Sequence, residues 1–302
     1  MPFIKKQSPI GFFNNNYLYK EIIDQLPEDF QIEFYKYNQS KIKSAKIWFY
    51  FLEMNHNNKQ LDLHKREIDN ISFLQTSNKL TELDLSDNLI DDISVLSRLK
   101  ELKILKLNKN LIINILPLSD LLYIKSLDLS NNQINNINAI QNMCCLKHLN
   151  LSYNKIIDIS YLEDLTDLRT LDLSSNLITD ISVIQFLVRL ELLNLNNNFI
   201  TSIKPLQNLT KLTVLYVNNN KINILTDLPD SLKTLYIFNN NNMNFDLIKN
   251  NPHIKNTIVE IISTRQHKNF FYRNFLNLDL VESLPNKFKF EFYKYNKENL
   301  IK

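Results

Sequence analysis

Leu83-Asp84-Leu85-Ser86-Asp87-Asn88-Leu89-Ile90-Asp91-Asp92-Ile93 decides the architecture, because the chain repeats its pattern. Leucine pairs two residues apart recur at 61/63, 83/85, 105/107, 127/129, 149/151, 171/173 and 193/195, and Leu215/Val217 continues them, a step of 22 each time. Five residues after the first member of a pair stands an asparagine: Asn88, Asn110, Asn132, Asn154, Asn176, Asn198 and Asn220. Two further on comes Ile90, Ile112, Ile134, Ile156, Ile178, Ile200 or Ile222. The first unit carries Arg66 in place of the asparagine, and the last step shortens to 20, giving Leu235/Ile237 and Asn240.

A unit of this length is too small to bury its own apolar face, so the units must stack into a solenoid. Alternation at Leu83-Asp84-Leu85 predicts a short strand with leucines inward and Asp84 outward. Stacked strands run parallel and predict a sheet on the concave side. The asparagine follows the strand, where its amide satisfies peptide groups that the turn leaves unpaired. Asn70, Asp92, Asn114, Asn136, Asp158, Asp180 and Ser202 are short polar residues suited to capping a helical turn on the convex side. The unit after Leu212 has Ile224 at this position and Asp227 later, which predicts an irregular junction.

The pattern LxxLxLxxNxIxDIxxLxxL resembles the leucine-rich repeat family over residues 58–251. Its 22-residue form is similar to the class shared by bacterial internalins and the regulatory subunit of protein phosphatase 1. The closing Leu228-Pro229-Asp230-Ser231-Leu232 is similar to the 20-residue repeats of bacterial type III effectors. The resemblance implies an α/β solenoid with a parallel concave sheet and short convex turns. It also implies a protein-binding scaffold, in specific versions a phosphatase-binding subunit or a host-directed effector. Some such effectors carry a ubiquitin-ligase domain after the repeats; no cysteine follows residue 251 here, so that activity does not carry over.

Two flanks complete the organisation, 1–57 and 252–302. Leu26-Pro27-Glu28-Asp29-Phe30-Gln31-Ile32-Glu33-Phe34-Tyr35-Lys36-Tyr37-Asn38 reappears as Leu284-Pro285-Asn286-Lys287-Phe288-Lys289-Phe290-Glu291-Phe292-Tyr293-Lys294-Tyr295-Asn296. Helical spacing at Leu18, Ile22, Ile23 and Leu26, then alternation at Phe30, Ile32 and Phe34, predict a helix followed by a strand in each copy. The N-terminal copy is expected to cap the solenoid. The C-terminal copy is either a second cap or the remnant of a tandem paralogue.

Composition excludes much chemistry. The single glycine, Gly11, rules out phosphate-binding loops, dinucleotide fingerprints and nucleophile elbows, which need at least two at fixed spacing. The excess of Asn, Ile, Lys, Leu and Tyr over alanine points to an A/T-rich genome. A net charge of +3 argues for neither a nucleic-acid nor a membrane partner. No apolar run reaches 18 residues and no signal-peptide core follows the first lysines, so a cytoplasmic place, including the cytosol of a host cell, is expected. His64 and His148 fall four repeats apart, roughly 19 Å at ~4.8 Å per strand, too far to share a metal. Cys144 and Cys145 are read as reduced, partly buried thiols. No catalytic constellation, cofactor or small-molecule substrate is indicated.

What remains is the concave face. Its outward positions are acidic and small in the earlier units, with Asp62, Glu82, Asp84, Lys106, Asp128, Asn150 and Asp172, and apolar or aromatic later, with Leu192, Val214, Tyr216, Tyr236 and Phe238. Large apolar groups at a surface anchor interfaces, so this face is the expected binding site for another protein. The opposing possibility is that the C-terminal flank folds over the aromatics. Nucleic acid is the rival partner, through nine Lys/Arg against five acids in residues 252–302, and the acidic face disfavours it.

Overall fold

The computed structural model describes residues 59–223, 228–237, 239–240 and 258–260. Both copies of the duplicated helix-strand module, the Ile224 and Asp227 junction and Phe238 lie outside these residues. The chain divides into two compact units, 1–133 and 134–302.

In the first unit, strands β1 (Gln60–Asp62), β2 (Glu82–Asp84), β3 (Ile104–Lys106) and β4 (Ser126–Asp128) pair parallel in chain order. Leu61, Leu83, Leu105 and Leu127 stand in one register, which is the 22-residue step written as strand pairing. The second unit continues the scheme with β5 (His148–Asn150), β6 (Thr170–Asp172), β7 (Leu192–Asn194), β8 (Val214–Tyr216) and β9 (Thr234–Tyr236), also parallel. A further strand, β10 (Ile258–Glu260), pairs parallel with β9. It falls in the segment expected as the C-terminal flank and carries no leucine pair.

The returns that lead to β2 through β8 each carry a short 3-10 turn, among them Ser94–Arg98 and Leu116–Leu118 in the first unit and Ser160–Leu162 and Lys204–Leu206 in the second. Pro117 and Pro205 sit at the start of two of them, where a missing N–H leaves no bond unmade. The short polar residues stand one position before the turns' N-caps, which are isoleucines such as Ile71, Ile93 and Ile181. Asn70, Asp92, Asn114, Asn136, Asp158 and Asp180 each accept, through Oδ1, the backbone N–H two residues on, and Ser202 does so through Oγ. Between strands and turns the Leu and Ile columns are buried, most of them completely. Among the described residues no helix is long and apolar enough to cross a membrane.

The asparagine ladder couples neighbouring repeats. Asn88 Oδ1 accepts the N–H groups of Arg66 and Ile68 in the preceding repeat, while Nδ2 donates to the carbonyls of Leu63 and Leu85. Asn176 repeats the arrangement on Ile156 N–H, Leu151 O and Leu173 O. Asn240 keeps it across the shortened step, accepting from Ile222 N–H and donating to Val217 O. A buried side chain with one acceptor and two donors thus satisfies peptide groups that no strand pairing reaches.

Immediately before each asparagine the backbone turns left-handed. Asp87, Lys109, Asn131, Tyr153, Ser175, Asn197, Asn219 and Asn239 have φ between 53° and 58°. Glycine is the usual occupant of this region, and the chain's single glycine, Gly11, is elsewhere.

Candidate functional site

Strand alternation turns one side chain in two away from the core, and the outward rows form the candidate surface. In the first unit Asp62, Asp84, Lys106 and Asp128 occupy one register row, with Gln60, Glu82, Ile104 and Ser126 in the next. Gln60, Asp62, Glu82, Asp84, Ile104 and Lys106 line an open hollow of about 390 Å³. The Lys106 ammonium bonds Asp84 Oδ2 at 2.9 Å.

Burial opposes ionisation of Asp84, but hydrogen bonds from Ser86 and Lys106 outweigh it and hold the carboxyl below its ordinary value. The hydrogen bond to Asp84 and the attraction of that carboxylate raise Lys106, with Asp62 and Asp128 adding to it. The row therefore runs acid, acid, base, acid, with Lys106 set between Asp84 and Asp128, and is net acidic.

The acids also have a local task that spacing alone did not assign. Asp84, Asp128 and Asp172 each accept, on Oδ1, both the backbone N–H and the hydroxyl of the serine two residues on. Asn150 does the same with Ser152. These Asx turns end the strand and use only Oδ1 of each aspartate, which leaves Oδ2 for other partners. For Asp172 that second oxygen accepts from Asn194 Nδ2 at 2.9 Å. The recurring Asp-x-Ser was the readable signal.

In the second unit the row runs Asn150, Asp172, Asn194, Tyr216 and Tyr236, with Leu192 and Val214 in the row beside it. Leu192, Val214, Tyr216 and Tyr236 are all half-buried. In-register residues of parallel neighbours stand ~4.8 Å apart, a distance at which two rings stack. Tyr216 and Tyr236 do so, with centroids 4.3 Å apart and planes 7° from parallel. Leucine and valine beside the stacked rings make a short apolar patch at the end of a polar row.

A second apolar feature was missed. Leu89 and Leu111 in the first unit, and Leu177 and Phe199 in the second, each follow a ladder asparagine and are exposed. The Lys221 ammonium lies over the Phe199 ring at 4.8 Å. The column is visible in the sequence once the asparagine is used as its origin.

Cys144 and Cys145 correct an expectation: both are exposed, because they occupy a two-residue solvent loop of the repeat and not its core. Among the described residues no three His, Cys, Asp or Glu side chains gather as a metal would require.

Comparison with known proteins places this geometry. Residues 146–185 and 188–230 match the family model described as leucine rich repeats in two copies, and 123–143 match the leucine rich repeat model. No curated protein sequence matches the chain. Among solved structures, internalin C2 of Listeria monocytogenes is 29% identical, with a TM-score of 0.58, over 61% of this chain and 81% of that one. Internalin F of the same organism is 29% identical, TM-score 0.55, over 69% and 75%. The complex of TLR13 with ssRNA13 is 28% identical, TM-score 0.52, over 62% and 30%. Parallel three-residue strands, an asparagine ladder, 3-10 returns and these likenesses agree: the chain carries leucine-rich repeats and resembles the internalins.

Proposed function

We propose that the chain is a non-catalytic scaffold that binds another protein across its outward strand face. One observation carries the reading: the stacked, half-buried Tyr216 and Tyr236 stand on that face with Leu192 and Val214 beside them. Aromatic side chains in partly desolvated positions are where interfaces concentrate their energy. In the first unit Asp84, Lys106 and Asp128, and in the second Asp172, supply fixed charges that set orientation and register more than affinity. Phe238, two residues beyond Tyr236, is assigned to the same surface from its spacing. The unpaired cysteines support a reducing, cytoplasmic setting.

Affinity capture from the source cell, or from its host, tests the proposal. Wild type runs beside Tyr216→Ala/Tyr236→Ala after circular dichroism shows that both fold. A protein retained by wild type and lost by the variant supports the face; a phosphatase catalytic subunit among such proteins would select the regulator version. Matching profiles would reject it.

TLR13 in complex with ssRNA13 favours a second reading, an RNA partner. Steep loss of capture with added salt, together with nuclease sensitivity, would select RNA. The acidic row argues against phosphates there.

A further inference from the structure

The fold leaves the chain's two cysteines without a structural task. Cys144 and Cys145 are adjacent, unpaired and exposed. They stand on the turn between the 3-10 turn Asn138–Ile140 and β5, and Met143 and Leu146 on either side are fully buried. Cys144 N–H donates to Asn142 O at 2.9 Å, which closes the turn. The backbone is thus pinned at both ends while the two thiols face solvent.

Nothing in the packing asks for sulfur here. The corresponding pairs in the later repeats of this unit are Thr166-Asp167, Val188-Arg189 and Thr210-Lys211, which share no chemistry. Free cysteine is ordinarily among the most buried residues. Here both of the chain's cysteines occupy a loop that accepts threonine, valine or lysine equally well.

Geometry selects the reaction. Adjacent Cα atoms are about 3.8 Å apart, whereas a relaxed disulfide spans about 4.4–6.8 Å. A ring closed between Cys144 and Cys145 is strained and readily reduced. A tetrahedral metal finds no third ligand among the described residues. Exchange with an external disulfide has neither obstacle, and Lys147, two residues on, favours approach of an anionic one.

We infer that Cys144-Cys145 is a surface thiol-modification site that forms mixed disulfides with small-molecule disulfides of the glutathione class. The thiolate of one cysteine attacks one sulfur of R–S–S–R. A protein S–SR bond forms as the R–S–S–R bond breaks, and the departing RS⁻ takes up the proton that the cysteine released. The incoming disulfide is the oxidant, so no other co-reactant is needed. The neighbouring thiol could expel RS⁻ only by closing the strained ring, so the adduct persists until an external thiol removes it.

The test uses the reduced, folded full chain, glutathione disulfide and intact-mass spectrometry. Expected are one or two glutathione increments that dithiothreitol removes, formed within about tenfold of the rate in the urea-unfolded chain, as befits exposed thiols. Cys144→Ser and Cys145→Ser should each keep a single increment, and the double variant should take none. Loss of two hydrogens without an increment, a disulfide-linked dimer in place of the adduct, or reaction only after unfolding would each overturn the assignment. Unchanged circular dichroism on modification shows that the folded form has reacted.

Discussion

Asn176 shows how much one side chain carries in a repeat fold. Its amide holds Ile156 N–H, Leu151 O and Leu173 O, none of which has water as an alternative in the buried turn. Asn176→Ala leaves Ile156 N–H unsatisfied, while Leu151 O keeps Asn154 Nδ2 and Leu173 O keeps Asn198 Nδ2, and a loss of roughly 1–3 kcal/mol is expected in urea unfolding. Asn176→Asp keeps the acceptor but sets a carboxylate against two carbonyls, so it should do no better. Tyr153 points the other way. It holds φ 55° with its ring exposed, where most of its counterparts are asparagine, aspartate, serine or lysine. A left-handed residue with a bulky side chain is disfavoured and asparagine visits the region readily, so Tyr153→Asn is expected to raise stability by about 0.5–1 kcal/mol. The ladder was legible residue by residue, since spacing and amide chemistry together name both site and partners. The left-handed residues were not, because glycine, their usual marker, is absent from every one of these turns.

Strands and turns are individually minimal, three to five residues each, and their stability comes from registration with the next repeat. The leucine pairs announced β1 to β9, while β10, built from Ile258-Val259-Glu260, follows β9 at a step of 24 (258 less 234) and has no such mark. The acids on the strands were read as surface charge only, yet their Oδ1 atoms close Asx turns with Ser86, Ser130 and Ser174. At this scale the Asp84–Lys106 pair makes a pH prediction. Asp84 titrates below its ordinary value of 3.8, so its contribution is present above that value and is lost as pH falls below it. Lys106 titrates above 10.5, so its contribution is present below 10.5 and is lost as pH rises beyond its raised value. Between about pH 5 and 9 the effect of Lys106→Met should therefore be flat. Because Lys106 is half-exposed, that effect should stay within about 1 kcal/mol. Thermal melts of both proteins across pH 3 to 9 check this, and a large change near neutrality would show that another group governs the row.

At the scale of the molecule each unit presents one outward strand face: the first alternates Asp84, Lys106 and Asp128 over an open hollow, and the second ends in the stacked tyrosines. The division of that surface into acidic and aromatic parts was legible, because strand alternation converts sequence directly into facing. How far the aromatics are desolvated was not, since stacking depends on the register that brings Tyr216 opposite Tyr236 across the shortened step. The same repetition means that one large-to-small core change weakens two interfaces at once. Leu171, fully buried between the strands on either side, should lose about 2–5 kcal/mol on replacement by alanine.

The central claim is that the strand face, and not the turn side, meets the partner. A photo-crosslinking amino acid placed at Thr170, outward on β6, and separately at Ser160, exposed on a 3-10 turn, tests it most directly. The account predicts a covalent protein adduct from position 170, reduced by Tyr216→Ala/Tyr236→Ala, and none from position 160. An adduct formed from position 160 alone would contradict it.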